Sequence, residues 1–258
     1  PLIQWSISEI NVDYVVEVPA IGNPQGIVSG TTQITRDPVG LIMADQATKV
    51  IKASGLLKDG FSFQTGAGGA SLAAAKFLKD IMVREGIKGS FGLGGITGYM
   101  VDMLNAGCFE SLLDVQCFDL KAVESIRTNP QHQEISALHY ASPSSMSAVV
   151  DSLDVVILGA TEIDTNFNVN VHTDSNGYIM GGSGGHSDTA AGAKLAMIIA
   201  PMFRGRLPMI TDRVSCISTP GKDIDVLVTQ GGIAVNPRNQ ELAERMRSAG
   251  LPLIDIHD

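Results

Sequence analysis

The sequence predicts an α/β fold: an open, mostly parallel sheet with helices on both faces and an antiparallel insert. Three observations carry this reading. Between residues 61 and 130, short apolar runs alternate with glycine clusters and amphipathic helix-length segments, the βα rhythm of a parallel sheet. Val155-Val156-Ile157-Leu158 is a continuous apolar run, as a strand buried on both faces requires. Asn176-Gly177, ahead of Tyr178–Met180, is a tight-turn dipeptide that signals antiparallel pairing.

The elements follow in order. Residues 10–18 alternate apolar and polar (Ile10, Val12, Tyr14, Val16, Val18), the pattern of a strand. Asp37-Pro38 supplies an N-cap followed by proline at the first helical position, and Val39, Ile42, Met43, Val50 and Ile51 recur near helical spacing. Phe61–Thr65 reads as a strand, residues 66–69 as a glycine turn, and Ser71–Glu85 as a helix stopped by Gly86. Ser90–Leu93 is the next strand, with more glycines and a helix stopped by Gly107. Leu112–Phe118 follows, and Asp119 caps a helix that ends before Pro130.

In the second half, the buried strand at 155–158 leads into an alternating stretch from Glu162 to Val171. Gly181–Gly185 precedes a helix capped by Ser187 or Asp188. Met209-Ile210 and Val226–Val228 read as strands, Gln240–Arg247 as a last amphipathic helix, and Leu253–Ile256 as a last strand. No repeat, linker or interior boundary divides residues 1–258, which read as a single α/β domain with one continuous sheet system.

Composition narrows the function classes. With 258 residues, the chain is long enough to bury roughly 70–75% of its unfolded surface. Apolar residues make up 44% and charged residues 17%, which excludes a disordered chain. A net charge of −9 and no basic stripe argue against nucleic acid, and 5% aromatics with a lone Trp5 argue against a base-stacking platform. The mean hydropathy of +0.17 is high, but the best apolar stretch, 190–202, carries Lys194 and Pro201 and is too short for a membrane span. Cys108, Cys117 and Cys216 cannot all pair and form no CxxC, which points to a reducing, cytoplasmic compartment and to packing roles. The sequence opens on Pro1 rather than Met and shows no signal peptide, and so reads as a processed or excised piece.

Glycine, at 28 residues, is concentrated where a strand should meet a helix: Gly66-Ala67-Gly68-Gly69, Gly92-Leu93-Gly94-Gly95 and Gly181-Gly182-Ser183-Gly184-Gly185. A helix N-terminus presents unpaired N–H groups, and glycine lets a ligand approach them closely. Such turns can hold a phosphate, a carboxylate or the oxyanion of an acyl transfer, although tight βα turns need glycine for geometry alone. Gly66-x-Gly68 has Ser71 where a dinucleotide fingerprint needs glycine, the fingerprint's strand-end acid is missing, and no Walker A motif occurs.

Glu162 follows the buried 155–158 strand. It is expected at the active edge of the sheet, partly desolvated and with a raised pKa, as a nucleophile or base; a solvated strand-end acid is the plain alternative. Asp164 shares its parity as a neighbour or a structural partner. His186, in the glycine loop beside Asp188, is placed to donate to an acyl oxygen or a carboxylate, or simply to open the helix. His132, His139, His172 and His257 lack metal-ligand spacing, so no metal site is expected. Ser183 and Ser187 lack the strand–GxSxG–helix context of a hydrolase elbow. Arg204, Arg206 and Arg213 flank a predicted strand at 207–211, where they either meet acidic groups or simply lie on the surface.

Three stretches carry a resemblance. Gly-Ala-Thr-Glu-Ile-Asp at 159–164, Gly-Gly-Ser-Gly-Gly-His-Ser-Asp-Thr-Ala-Ala-Gly-Ala at 181–193 and Gln-Gly-Gly-Ile-Ala-Val-Asn-Pro at 230–237 resemble the citrate lyase α-subunit family over nearly the whole chain. The chain is more distantly similar to the acetyl-CoA hydrolase/transferase branch of the CoA-transferase superfamily. There the glutamate motif reads roughly Ala-Leu-Glu-Val-Asp, and the loop is Gly-x-Gly-Gly followed by an aspartate. Glu162 falls on that glutamate, and Gly182-x-Gly184-Gly185 with Asp188 falls on that loop.

The resemblance implies a CoA-transferase-like fold and one reaction: acetyl-S-carrier plus citrate gives citryl-S-carrier plus acetate. It implies Glu162 as the catalytic carboxylate, either attacking the thioester or orienting citrate in a ternary complex. Gly182, Ser183, Gly184, Gly185 and His186 would form the oxyanion and thioester site, and Gly66, Gly68, Gly69, Gly94 and Gly95 the turns that hold the CoA moiety or an anion. It implies CoA, or a CoA-derived prosthetic group on the carrier, as a substrate arm, and no permanently bound cofactor. Its partners would be the beta (lyase) and gamma (acyl carrier) subunits in an oligomeric complex, with citrate and acetate as small molecules. Family subunits are about twice this long, so the chain reads as a C-terminal half that lacks site residues from an N-terminal half and is inactive alone. An acyl-CoA hydrolase or another carboxylate CoA-transferase of the same fold is the second reading. A non-catalytic anion-binding sensor or scaffold is the third.

Overall fold

The structure is a computed structural model that describes residues 8–23 and 32–257; Pro1 and Trp5 lie outside them. In chain order its elements begin with α1 (Pro38–Ala53), β1 (Ser62–Thr65), α2 (Gly69–Glu85), β2 (Gly89–Ile96), α3 (Gly98–Asn105), β3 (Phe109–Cys117), α4 (Leu120–Thr128), β4 (His132–Glu134) and α5 (Ala137–Ala141). There follow β5 (Val155–Leu158), β6 (Glu162–Asp164), β7 (Val169–Asn170), α6 (His186–Gly192) and β8 (Leu195–Ile199). The last are β9 (Phe203–Arg204), β10 (Leu207–Pro208), β11 (Ile210–Thr211), β12 (Val226–Val228), β13 (Ile233–Val235) and α7 (Gln240–Ser248).

Eight strands form the main sheet in the order β13-β12-β8-β5-β1-β2-β3-β4. Every pairing is parallel except β12 with β13. The central strands are buried on both faces, and their alternate side chains serve two separate cores. Val155, Ile157, Leu195 and Met197 pack with α1, α2, α3 and α7, whereas Val156, Leu158, Ala196 and Ile198 pack with α5 and α6. This two-sided burial is why 155–158 reads as an unbroken apolar run, and 195–199 has the same apolar composition. The 190–202 stretch, the most apolar in the sequence, thus divides between α6 and a central strand, and no helix among the described residues is long and apolar enough to cross a membrane.

Local chemistry sets the ends of the helices. The Asp37 side chain accepts from Gly40 N, Asp119 from Ala122 N at 2.9 Å, and Asn239 from Leu242 N. Gly86 closes α2 in the left-handed conformation with φ +70°. Asp119 also accepts from Gly98 N at 2.6 Å, so one carboxylate ties together the N-termini of α3 and α4.

Several expectations need correction. Residues 10–18 form no strand: Glu9–Asn11 is a single 3₁₀ turn, and Ile10, Tyr14, Val15 and Val16 stand exposed, because the alternation finds no hydrogen-bonding neighbour here. The glycine cluster at 92–95 lies inside β2, not in a turn, and the ladder shifts register between Gly94 and Gly95. Gly185, not Ser187 or Asp188, is the N-cap of α6. The predicted strand at 207–211 is split between a small β9–β10 hairpin and β11, which pairs with β6. Residues 253–256 contribute one isolated bridge, Ile233 to Leu253. The sheet system is not continuous: β11-β6-β7 and β10-β9 form two small sheets beside the main one.

Candidate functional site

The carboxyl ends of parallel strands gather the loops at one edge, where open α/β sheets bind ligands. A cavity of about 770 Å³ opens there, within the usual range for small-molecule sites. Its wall takes Gln64, Thr65, Gly66 and Ala67 from the β1–α2 junction, and Gly95, Val115, Gln116 and Phe118 from the ends of β2 and β3. Ala137, Leu138 and Tyr140–Pro143 in and around α5, Leu158 and Gly159 at the end of β5, and Ser183–His186 with Asp188 at the start of α6 complete it.

Of the residues singled out from the sequence, the cavity thus brings together Gly66, Gly95, Ser183, Gly184, Gly185 and His186. Gly68, Gly69, Gly94, Gly182 and Glu162 do not line it. Some of the glycines serve packing. A Cβ on Gly95 would lie 2.0 Å from the Phe118 ring, and one on Gly94 (φ +103°) 2.8 Å from Gln64 Cδ. One on Gly69 would meet Thr35 N at 3.1 Å. The first turn keeps one ligand-facing feature: the N-terminus of α2, capped by Gly68, follows directly on Ala67 in the wall. Gly66 N is already engaged with Ile157 O at 3.0 Å.

Two wall residues escaped the sequence reading. Gln64 is buried, and its Nε2 donates to the Tyr140 hydroxyl at 2.8 Å; the Gln64 Oε1 has no partner among the described residues. Tyr140 is held against Gly185, where a Cβ would lie 2.5 Å from the ring, and burial pushes its hydroxyl up to about 12. The sequence offers no motif for either residue. The pairing exists only because α5, capped by Ser136, folds back over the end of β1.

His186 is buried, and both ring nitrogens are engaged, Nε2 with Gly159 O at 2.8 Å and Nδ1 with Thr219 Oγ1 at 2.7 Å. A carbonyl oxygen only accepts, so Nε2 carries a proton. Burial holds its pKa below the ordinary histidine value, against the opposing bond to Gly159. The ring therefore fastens the glycine loop to β5 and has no spare proton to offer an acyl oxygen.

Glu162 lies on β6, three residues past Gly159, and only 3% of it is exposed. Burial alone raises a carboxyl pKa, which was the expectation for this residue. Here Ser175, Asn170 and Ser215 together outweigh burial and hold it below the ordinary glutamate value. Asn170 Nδ2 donates at 3.0 Å and Ser215 Oγ at 3.2 Å. The group is a dry, ionised carboxylate, suited to nucleophilic or orienting work rather than to proton donation. Asp164 is a structural partner: its carboxylate accepts from the backbone N–H groups of Asn166 and Asn168, each at 2.9 Å, and shapes the turn around Phe167 (φ +64°).

The chain matches the family model of the citrate lyase alpha subunit over residues 1–258. This chain belongs to the citrate lyase alpha-subunit family. It is 53% identical to the citrate lyase alpha chain of Klebsiella pneumoniae over 253 residues, covering 98% of this chain and 50% of that one. It is 50% identical to the Escherichia coli (strain K12) alpha chain, covering 97% of this chain and 49% of that one. It therefore spans about half the length of the curated relatives it matches. A solved structure described as the putative alpha subunit of citrate lyase in complex with citrate, from Streptococcus mutans, superposes with a TM-score of 0.93 at 47% identity. That match covers 100% of this chain and 51% of the other. RipA from Yersinia pestis, at 17% identity and a TM-score of 0.60 over 84% of this chain, shares the fold alone. The CoA-transferase-like α/β architecture expected from the sequence is the one observed.

Proposed function

We propose that this chain supplies the C-terminal half of a citrate CoA-transferase subunit, exchanging acetyl for citryl on a carrier thioester. Acetyl-S-carrier plus citrate gives citryl-S-carrier plus acetate. The observation that carries the reading is the match over the whole chain, at 47% identity, to a relative whose structure is described with citrate bound. The cavity supports a division of labour. Its wall combines apolar Val115, Phe118, Leu138 and Leu158 with polar Gln64 and Gln116, and includes no lysine or arginine. Such a wall suits the uncharged thioester end of the arm, whereas a tricarboxylate needs cations. Those cations are then supplied by the other half of the subunit, and the active site is shared.

In this reading Glu162 works as an ionised carboxylate, attacking the thioester carbonyl or orienting the acceptor acid. Ser183, Gly184 and Gly185 hold the acyl oxygen, while the α2 N-terminus after Gly66 and Ala67 faces the anionic part of the arm. CoA, or a CoA-derived group on the carrier, is a substrate and not a resident cofactor. The beta and gamma subunits of citrate lyase are the partners, in an oligomeric cytoplasmic complex. The test is a transfer assay on the complete subunit with citrate and acetyl-carrier protein, with and without the lyase subunit. Thioester hydrolysis without citryl transfer would replace this reading with a hydrolase. Citrate binding without turnover would replace it with a sensor.

A further inference from the structure

The β9–β10 hairpin differs in character from the rest of this acidic chain. Phe203 and Leu207 are 55% and 62% exposed, and Arg204 and Arg206 stand exposed on either side of Gly205, whose φ of +64° forms the turn. Arg213, a few residues on, is also exposed. Arg84, Arg127, Arg245 and Arg247 sit in ion pairs, and Arg238 donates to a backbone carbonyl. Arg204, Arg206 and Arg213 have no acidic partner among the described residues, and none of them lines the cavity. Outside this segment, among the described residues, Arg36 and Arg238 also have no acidic partner in an ion pair, but neither lies near these three in the sequence.

The hairpin is also anchored at the site. Met209 N donates to Met202 O at 2.8 Å and closes its base, and Ile163 N donates to Met209 O at 2.8 Å. The hairpin follows β8 in the chain, and its base is thus tied to β6, the strand that carries Glu162. A chain with a net charge of −9 repels an acidic partner over most of its surface, so a cluster of free guanidinium groups marks where such a partner can land. Exposed Phe203 and Leu207, flanking Arg204 and Arg206, supply an apolar contact that a small anion does not need and a protein surface does.

We propose that the β9–β10 hairpin, with Arg213, is the docking point for an acidic protein surface, the one that delivers the thioester to the Glu162 edge. The proposal rests on the reading that the thioester arrives on a carrier subunit. Binding of the unacylated carrier subunit to this chain is measured by fluorescence anisotropy at low and physiological salt, for the wild type, Arg204→Glu/Arg206→Glu and Arg204→Lys/Arg206→Lys. Charge reversal weakens binding about tenfold or more, the lysine pair largely preserves it, and salt weakens the wild type. Unchanged binding after charge reversal overturns the proposal. In the complete subunit, KM for acetyl-carrier rises with little change in kcat, and KM for free acetyl-CoA stays as it was. An equal loss with acetyl-CoA assigns the arginines to a small anion, and a changed oligomeric mass of the variant assigns the face to another copy of the chain; either overturns docking. Wild-type carrier binding that needs the arginines, without any acyl transfer, refutes the proposed activity and leaves the docking site standing.

Discussion

The imidazole of His186 donates to the carbonyl oxygen of Gly159 across 2.8 Å, joining the glycine loop to the end of β5. Its folded pKa lies below the unfolded value of about 6.5. Between those two values the unfolded chain binds more protons. The stability tied to the neutral ring is therefore complete above about pH 6.5 and is lost as pH falls from there through the folded pKa. The urea midpoint should fall between pH 7.5 and 5, and should fall less in His186→Gln. An identical slope in both proteins refutes the assignment.

Glu162→Gln in the complete subunit should lower acyl transfer about 100-fold or more, with circular dichroism and the urea midpoint near wild type. The amide oxygen can still accept from Asn170 and Ser215, so the fold survives while the charge is lost. Glu162→Ala removes one acceptor from buried Asn170, whose Nδ2 also donates to Thr173 O at 3.1 Å, and one from exposed Ser215, and should cost about 0.5–1.5 kcal/mol of stability. Transfer at wild-type rates in the glutamine variant removes Glu162 from the chemistry.

Gly185→Ala places a methyl 2.5 Å from the Tyr140 ring. The ring must shift, which strains its bond to Gln64 and narrows the cavity. The expected cost is about 1–3 kcal/mol in stability, together with weaker thioester binding by calorimetry. Gly184→Val, at φ +53°, should weaken binding through backbone strain. Retained turnover in both variants removes the loop from acyl binding.

Cys117 donates its thiol proton to Asp114 Oδ2 at 2.9 Å, and burial together with that bond pushes it up to about 12. The same carboxylate oxygen faces His132 Nε2 at 3.0 Å. Cys117 should therefore resist alkylation at neutral pH in the native protein and react once urea unfolds it, as peptide mass mapping would show. Rapid native labelling at this residue contradicts the arrangement.

Elements with chemical punctuation were legible in the sequence. Asp37 with Pro38, Asp119, Gly86 and Gly107 announce helix ends because each satisfies or releases a specific backbone group. β8 was hidden because only Ala193 and Lys194 separate it from α6, leaving no room for a turn signal. The 10–18 alternation was misleading because period two describes a strand's faces and not the existence of its neighbour. The glycine loop in the cavity wall, and Glu162 beyond it, were readable from residue type. The Gln64–Tyr140 pair and the bonds that depress the Glu162 pKa were not, since each joins residues distant in sequence or brought together by the insert. Glu162 shows the limit plainly: burial was foreseeable, but its three hydrogen-bond donors reverse the direction that burial alone predicts.

The register shift in the β2–β3 ladder has a consequence for homologous sequences. Gly94 faces Asp114 and Gly95 faces Gln116, so Val115 is the unpaired extra residue of β3. Consecutive strand residues ordinarily point to opposite sides, yet Val115 and Gln116 both reach the cavity wall. The inside–outside phase counted forward from Phe109 is thus one step out from the phase counted back from Cys117. A relative that lacks this single residue would present the other set of side chains to the cavity. A gap of one position at Val115 in an alignment would therefore mark a re-lined cavity wall rather than a neutral shortening.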